Sequence, residues 1–404
     1  MATTQYLSYA MKQPKILLLV VIALLPLTLV SCAPWGTQSA GGWSGTAFHD
    51  GIVYVGIDGR VVAINATSRE LQWSHPIVAE GSSGMSCGQS SVSAAIYTTP
   101  IVDADLVYVG SYTSNGGRVY ALSINDGQII WEYPKGGAHI GTIVGSPVIA
   151  NEIIYVGSSD SAIYALDTNR NGVEEWKAEI LDEKGKKHEK LWNSPVIQGN
   201  TLYISTFDGH IYALSVETGE LLDWSFEAEA GFASSPLIYE DIIYVGSFDR
   251  HLYAVKIGSD VPLWKFPREK SAGNWFWASS IVNEGIVYAG CLDGKLYAIE
   301  AKTGEKLWEF DAESPIVSSP VLMDDLLVVA AESGNVYVIN PETGVGERIK
   351  NRENSDKPTI DAQIRAPLCA HEGLIYVRDE DNQLYIVDIG NKEVSHPISL
   401  TKKE

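Results

Sequence analysis

Short apolar runs separated by turn residues recur along most of the chain. Asp-Gly or Thr-Gly often lies between them, as at Asp208-Gly209, Thr218-Gly219 and Asp293-Gly294. Asp-Gly between two apolar runs favours a tight β-hairpin, because these residues reach the positive φ angles of such a turn at little cost. The runs have the length of strands and are too short for helices. The pattern therefore predicts an all-β protein built from consecutive antiparallel hairpins.

These runs form a repeat of about 46 residues. Its most regular part is a phrase of the type Tyr-Ala-Leu, which occurs eight times. The residues at the tyrosine position are Val62, Tyr120, Tyr164, Tyr212, Tyr253, Tyr297, Tyr337 and Tyr385. Each unit holds four short apolar runs, which is typical of a propeller blade, and a single blade cannot bury both faces of its sheet. The prediction is one eight-bladed β-propeller of four-stranded antiparallel blades over residues 43–400.

In six units a turn and then a tryptophan follow the repeated phrase. It is clearest at Tyr297-Ala298-Ile299, Thr303-Gly304 and Trp308, where it resembles the PQQ-like repeat of quinoprotein-type propellers. The resemblance implies that this tryptophan docks against the adjoining blade. We therefore expect a structural role for Trp73, Trp131, Trp176, Trp224, Trp264 and Trp308. Arg348 and His396 take the place of the tryptophan in the last two units.

The N-terminal segment has the order of an export signal. Lys12 and Lys15 precede an uncharged apolar run that ends in Leu29-Val30-Ser31-Cys32. This order predicts a signal peptide over residues 1–31, with its start at Met1 or at Met11. The last four residues resemble the lipobox of bacterial lipoproteins, which implies that Cys32 is lipidated; the alternative is an ordinary signal peptide. Residues 32–42 are then a flexible tether.

Composition and charge exclude several classes of function. The formal net charge of −21 argues against nucleic acid as a partner, because phosphate binding needs a basic surface. Four cysteines are too few for a disulfide framework in 404 residues, and none are closely spaced as in a zinc site or a redox pair. The chain also lacks a phosphate loop and a nucleotide fingerprint. We predict no catalytic residues and no metal site.

Four connections are longer than their counterparts in other units. They are residues 75–97, 178–191 and 349–365 between units, and residues 111–117 between the second and third strands of unit two. If the first strand of each blade is innermost, both kinds of connection emerge on the same face of the propeller. Loops on a rigid scaffold commonly carry binding sites, so we predict that this face binds a protein or peptide.

Several distinctive side chains belong to this rim. The candidate binding residues are His139, Trp192, Asn193, Trp275, Phe276, Trp277 and Arg365. Exposed aromatic residues beside a channel mouth suit a peptide or an aromatic ligand. The alternative is that Trp275 and Trp277 alternate into the packing of the sheets.

The lipobox, the single propeller and the missing catalytic motifs together resemble the BamB family of outer-membrane assembly lipoproteins. The resemblance implies a non-catalytic scaffold that binds protein partners and holds no cofactor. It also implies that the protein is exported and anchored by lipid on Cys32, with the propeller facing outward or into the periplasm. One alternative is a quinoprotein dehydrogenase, which would hold pyrroloquinoline quinone with Ca²⁺, although the adjacent cysteines of the alcohol-oxidising members are missing. Another alternative is a sensor that binds a glycan or small ligand at the channel mouth.

Overall fold

The computed structural model describes residues 43–77, 95–181, 187 and 190–401. Within these ranges the regular structure consists of β-strands, and no helix is long and apolar enough to cross a membrane. The strands form eight antiparallel sheets, which follow one another along the chain as the repeat predicts. The protein is an eight-bladed β-propeller.

The strands of blades 1 to 4 are β1 Thr46–His49, β2 Ile52–Ile57, β3 Arg60–Asn65, β4 Leu71–Pro76, β5 Ile101–Asp103, β6 Leu106–Gly110, β7 Val119–Ser123, β8 Ile129–Tyr133, β9 Val148–Ala150, β10 Ile153–Ser158, β11 Ala162–Asp167, β12 Val173–Glu179, β13 Val196–Gln198, β14 Thr201–Ser205, β15 His210–Ser215 and β16 Leu221–Glu227. Each of these blades takes its four strands in chain order.

The strands of blades 5 to 8 are β17 Leu237–Tyr239, β18 Ile242–Gly246, β19 Leu252–Lys256, β20 Trp264–Phe266, β21 Ile281–Asn283, β22 Ile286–Gly290, β23 Lys295–Glu300, β24 Lys306–Asp311, β25 Val321–Met323, β26 Leu326–Ala330, β27 Val336–Ile339, β28 Gly346–Arg348, β29 Cys369–His371, β30 Leu374–Arg378, β31 Gln383–Asp388, β32 Glu393–Val394 and β33 Ile398–Ser399. Because β32 and β33 both pair with β31, the outer strand of blade 8 is in two pieces.

The first strand of each blade is the innermost. First strands of neighbouring blades are in contact, as β1 is with β5, β9 with β13 and β25 with β29. Contact between β29 and β1 closes the ring. The two middle strands of each blade hold most of the buried apolar residues, which pack between neighbouring sheets. The repeat thus places its apolar residues between the blades and leaves the outermost strands more exposed.

The long connections share one face of the ring. Connections between blades pair with the hairpins that join second and third strands. The pairs are Ala95 with Tyr112, Ile180 with Ser161, and Ile360 with Gly334. The described parts of all four long connections therefore lie on one face, which we call the loop face. The opposite face carries the first-to-second and third-to-fourth turns, and we call it the turn face.

The six repeated tryptophans lie between blades. The Trp264 indole packs on Gly304 of the next blade, whose φ of +71° leaves room only for a residue without a side chain. Its Nε1–H donates to the carbonyl of Ala301 at 2.9 Å, and the Tyr244 hydroxyl donates to the same oxygen at 3.1 Å. Trp73, Trp176, Trp224 and Trp308 also donate to a carbonyl in the next blade. These residues hold each blade to its neighbour.

Blade 8 packs on blade 1 without a tryptophan. Within the described residues, each of these blades is built from its own segment of chain. Instead, the Phe48 ring stacks on His371 with centroids 3.8 Å apart. The Asn382 side-chain amide also donates to Asp58 at 2.7 Å. Side-chain packing and polar contacts therefore close the propeller.

Several blades are entered through a Ser-Pro or Thr-Pro pair, such as Thr99-Pro100 and Ser146-Pro147, and these pairs link the blades around the axis. The backbone N–H of Thr99 donates to the Ser146 hydroxyl at 2.9 Å. The N–H of Ser146 in turn donates to Ser194, and that of Ser194 to Ser235, both at 2.8 Å. This repeated phrase thus satisfies backbone donors at the start of the first strands, where the chain enters each blade.

Candidate binding surface at the channel mouth

The predicted rim residues Trp192, Trp277 and Arg365 occupy the same position in three blades. Each precedes the second-strand tyrosine of its blade by eleven residues. Each is half-buried and lies in the connection that enters its blade on the loop face. The propeller repeat therefore brings side chains that are far apart in sequence to one ring around the mouth of the channel.

Five aromatic side chains form a continuous row across blades 4, 5 and 6. The row, called the aromatic arc here, consists of Trp192, Phe207, Phe248, Trp275 and Trp277. Ring centroids are 5.3 Å apart from Trp192 to Phe207 and from Phe207 to Phe248, and 5.2 Å apart from Phe248 to Trp275. These contacts are edge to face, which aromatic rings favour. All five residues remain partly exposed.

Phe207 and Phe248 are members of the arc that the sequence analysis missed. They lie in the hairpins between second and third strands of neighbouring blades, each just before an aspartate. The sequence signal is the equivalent position of the two residues in consecutive repeats. It becomes meaningful only once the hairpins are known to share a face with the connections that carry Trp192 and Trp275.

Two of the predicted rim residues lie in the interior. Phe276 is fully buried and packs edge to face on Phe266. Asn193 is also buried, and its amide donates to the Ser205 hydroxyl at 2.9 Å. Their side chains therefore position the connections that carry Trp192, Trp275 and Trp277 and do not themselves face a partner. Both predicted tryptophans of blade 6 are partly exposed, so the fully buried member of this segment is Phe276.

Arg365 lies across the mouth from the arc and joins three blades. Its guanidinium forms ion pairs with Glu332 at 2.6 Å and with Glu380, and it lies over the Trp43 ring with its carbon 5.7 Å from the centroid. Both carboxylates belong to second-to-third hairpins. This side of the mouth is thus polar and internally paired, in contrast to the apolar arc.

His139 lies beside the hairpin of residues 111–117. It is half-buried, and the neighbouring Ala138 carbonyl accepts the Nε–H of Arg118 at 3.0 Å. The Arg118 side chain is 1% exposed and pairs with Glu132 at 2.9 Å. Sequence analysis did not single out Arg118, although a buried guanidinium of this kind fixes both connections to the body of blade 2.

The hairpin carboxylates on the loop face are engaged in local contacts. The tyrosine hydroxyls of Tyr164 and Tyr297 donate to Asp160 at 2.6 Å and to Asp293 at 2.9 Å. A hydrogen bond to Asp208 raises the pKa of His210. In the part of the chain that the structure describes, no group of three or more His, Cys, Asp or Glu residues is placed to hold a metal ion.

The remaining predicted elements are described only in part. Cys32, with the signal and the tether, lies outside the described residues, as do residues 78–94 of the first long connection and most of residues 182–189. The connection 349–365 is described in full. It is held by its own contacts, including a hydrogen bond from the Asn351 amide to the Pro358 carbonyl at 2.8 Å.

The fold and the repeat define a propeller of the PQQ-like class with an aromatic channel mouth. A family model described as "Outer membrane protein assembly factor BamB" matches residues 28–266 and 249–347, which is most of the chain. The chain therefore belongs to the BamB family.

Solved structures share the fold at low sequence identity. BamB from Moraxella catarrhalis superposes with a TM-score of 0.62 and 17% identity, covering 85% of this chain and 93% of that one. The computationally designed Ika8 protein gives a TM-score of 0.62 and 17% identity, with coverage of 86% and 97%. At this identity the similarity concerns the fold alone.

A curated relative matches over a short segment. The serine/threonine-protein kinase AfsK of Streptomyces griseus is 27% identical over 136 residues. The match covers 33% of this chain and 15% of the kinase, so the chain spans only a small part of that relative's length.

Proposed function

We propose that this protein is a non-catalytic scaffold of the cell envelope that binds a protein partner on its loop face. The observation that carries the proposal is the aromatic arc. Five partly exposed aromatic side chains in continuous contact form an apolar surface, and such surfaces, when rimmed by polar residues, mark protein interaction sites.

The geometry of the arc favours a rigid anchor for a partner. Phe276 and Asn193, buried beneath it, fix the backbone that carries three of its members. Binding then orders few additional side chains, which lowers the entropic cost of association. Aromatic rings also contribute large contact areas for few rotatable bonds.

Membership of the BamB family supports a location at the envelope. The printed family name refers to outer-membrane protein assembly, and we propose that this chain has a related role. Acyl chains on Cys32 would hold the propeller at the membrane, because several chains together anchor a protein far more stably than one. The described chain enters blade 1 at Trp43, next to Arg365 of the loop face.

The test of partner binding uses a photo-crosslinking amino acid at exposed position 274, beside the arc, in cells that express the full chain. We expect a discrete adduct that falls at least about tenfold when Trp192 and Trp277 are both changed to alanine. Val345→Ala, which alters an exposed apolar side chain in the turn before the outer strand of blade 7, is the matched control and leaves the adduct unchanged. An adduct that survives the double substitution refutes the role of the arc.

Two further measurements separate the other parts of the proposal. Cys32→Ser should move the protein from the membrane fraction to the soluble fraction, and continued membrane association contradicts lipid anchoring at this residue. Purified protein titrated with pyrroloquinoline quinone and Ca²⁺ should show neither stoichiometric uptake nor dye reduction. Uptake with turnover would establish the quinoprotein alternative instead.

A further inference from the structure

The aromatic arc continues into a charged group along the same ring of hairpins. The hairpin residue in question lies four positions after the Tyr or Val of the second strand. In blades 4 to 8 it is Phe207, Phe248, Leu292, Glu332 and Glu380. The backbone N–H groups of Phe248, Glu332 and Glu380 donate to the connections that enter their own blades, at 2.8, 2.8 and 3.0 Å, so these positions are structurally equivalent. The apolar surface therefore becomes acidic toward blades 7 and 8.

The acidic end carries more negative charge than its cation offsets. Glu332 and Glu380 share the single guanidinium of Arg365. The charges of the nearby Asp58 and the buried Arg378 oppose each other. Among the residues that the structure describes, one carboxylate charge is therefore left over. The side chains of Glu332 and Glu380 are 23% and 34% exposed, so a partner can reach them from the mouth.

The opposite end of the arc carries a cation. The Lys190 Nζ lies 4.6 Å from the centroid of the Trp192 ring. Lys190 has no carboxylate partner within the described part of the chain. A basic side chain of a partner is repelled at this end and attracted at the end formed by Glu332 and Glu380, because like charges repel and opposite charges attract. The arc thus has a direction.

The shape of the arc favours an extended segment. From Trp192 through Phe207 to Phe248 the arc is one ring wide, and it therefore accommodates a single row of side chains. Together with the step to Trp275, the path consists of three steps of 5.2–5.3 Å between ring centroids. An extended chain rises about 3.3 Å per residue, so about five residues cover this path. A helix would need a wider groove.

Given the protein-binding role proposed above, we propose that the partner contributes an extended, basic segment. Its apolar side chains lie on the aromatic arc. A lysine or arginine next to them binds at Glu332 and Glu380. Apolar contact supplies most of the affinity, and the charge selects between partners and sets the direction of the segment.

The test is fluorescence anisotropy with the purified mature chain and three labelled peptides. The first has the core Leu-Thr-Phe-Thr-Leu followed by two lysines. The second has two glutamates in place of the lysines, and the third keeps the lysines but has serine in place of Leu and Phe. We expect saturable binding of the first peptide, at least about fivefold tighter than the second at low salt. High salt should reduce this difference, and the third peptide should bind at least about tenfold more weakly.

Two double variants separate the apolar and the charged contributions. Trp192→Ala with Trp277→Ala should weaken binding of the lysine and glutamate peptides alike, because both use the arc. Glu332→Gln with Glu380→Gln should remove the preference for lysine, because Arg365 then lacks its carboxylates.

The matched control is Glu269→Gln with Glu313→Gln. It makes the same change of charge at exposed positions near the outer start of two loop-face connections. This variant should keep the preference for the lysine peptide. Thermal unfolding of every variant shows that an altered affinity is not a loss of fold.

Several results would overturn the basic segment. Equal binding of the lysine and glutamate peptides, both dependent on Trp192 and Trp277, would do so and leave the role of the arc standing. A preference for lysine that persists without Glu332 and Glu380 would also do so. If no peptide binds, the basic segment is wrong, and the adduct at position 274 decides the protein-binding role separately. A parent that sediments as a dimer, and as a monomer once Trp192 and Trp277 are alanine, would show that a second copy occupies the arc instead.

Discussion

The missing hydrogen bond of Trp131 predicts unequal effects for the same substitution at two junctions. Trp264→Phe removes an indole N–H that donates to the Ala301 carbonyl at 2.9 Å. Trp131→Phe removes an N–H that has no partner among the described residues. Both tryptophans are nearly buried, at 6% and 4% exposure, and both rest on a glycine of the next blade. Trp264→Phe should therefore destabilise the protein more than Trp131→Phe.

The magnitude follows from what each substitution leaves behind. The loss of the second indole ring and the resulting cavity cost a similar amount at both sites, so that part cancels in the difference. A net hydrogen bond is worth about 1 kcal/mol. The Ala301 carbonyl keeps the Tyr244 hydroxyl as a donor at 3.1 Å and does not become an unsatisfied acceptor. The expected difference is therefore at least about 1 kcal/mol, because Trp131→Phe also removes a buried donor that has no partner among the described residues and whose desolvation is a cost to the parent.

The assay is equilibrium urea unfolding of the two variants and the parent, followed by far-ultraviolet circular dichroism. Trp73→Phe, which loses a bond to the Ile124 carbonyl at 2.8 Å, is a second bonded example and should behave like Trp264→Phe. Equal losses of unfolding free energy for all three variants would refute the reasoning.

Three further predictions concern the stability of the propeller. Gly304→Ala places a Cβ 2.6 Å from the Trp264 ring at a φ of +71°, so it should cost about 2 kcal/mol or more in urea unfolding; a cost near zero would contradict the docking role. Ser194→Ala removes the acceptor of the Ser146 N–H and should lower the unfolding free energy by about 1 kcal/mol, whereas no change would mean that this link contributes nothing. Burial raises the pKa of Asp379 above its ordinary value of 3.8, so the folded chain holds this proton at a pH where the unfolded chain has lost it. The free energy of unfolding should consequently decrease as the pH rises above the pKa that Asp379 has in the unfolded chain. Urea unfolding of Asp379→Asn at a series of values from about pH 4 to pH 7 should show a smaller decrease than the parent. The same dependence of unfolding free energy on pH in both proteins would contradict this prediction.

The repeat made much of the architecture predictable. A phrase with Tyr at one position and Trp at another recurs because equivalent residues pack between each pair of neighbouring blades. The structure confirms eight blades of four antiparallel strands. Closure between blades 8 and 1 could not be predicted in this way, since the stacked pair of Phe48 and His371 occurs once and has no counterpart in the repeat.

The candidate sites were less predictable because they depend on distances between blades. Trp192 and Trp277 were recognised as unusual residues before a first strand, but Phe207 and Phe248 complete their surface from hairpins. Phe276 and Asn193 belong to the same two connections, yet alternation along each connection turns both side chains inward. Alternation along an extended chain is certain, but which neighbour faces inward depends on the register of the blade.

By itself, the sequence determined the all-β class, the number of blades and the residues that dock one blade on the next. These features are predictable because the residues responsible for them recur in six or more of the eight units. Tertiary structure decided which side chains meet around the mouth and at which junction the tryptophan lacks its hydrogen bond. The physical reason is that packing within a blade depends on local apolar periodicity, whereas a binding surface depends on the relative placement of segments distant in the chain. At Trp131 the sequence preserves the repeated tryptophan, and only the tertiary structure leaves its N–H without a partner among the described residues.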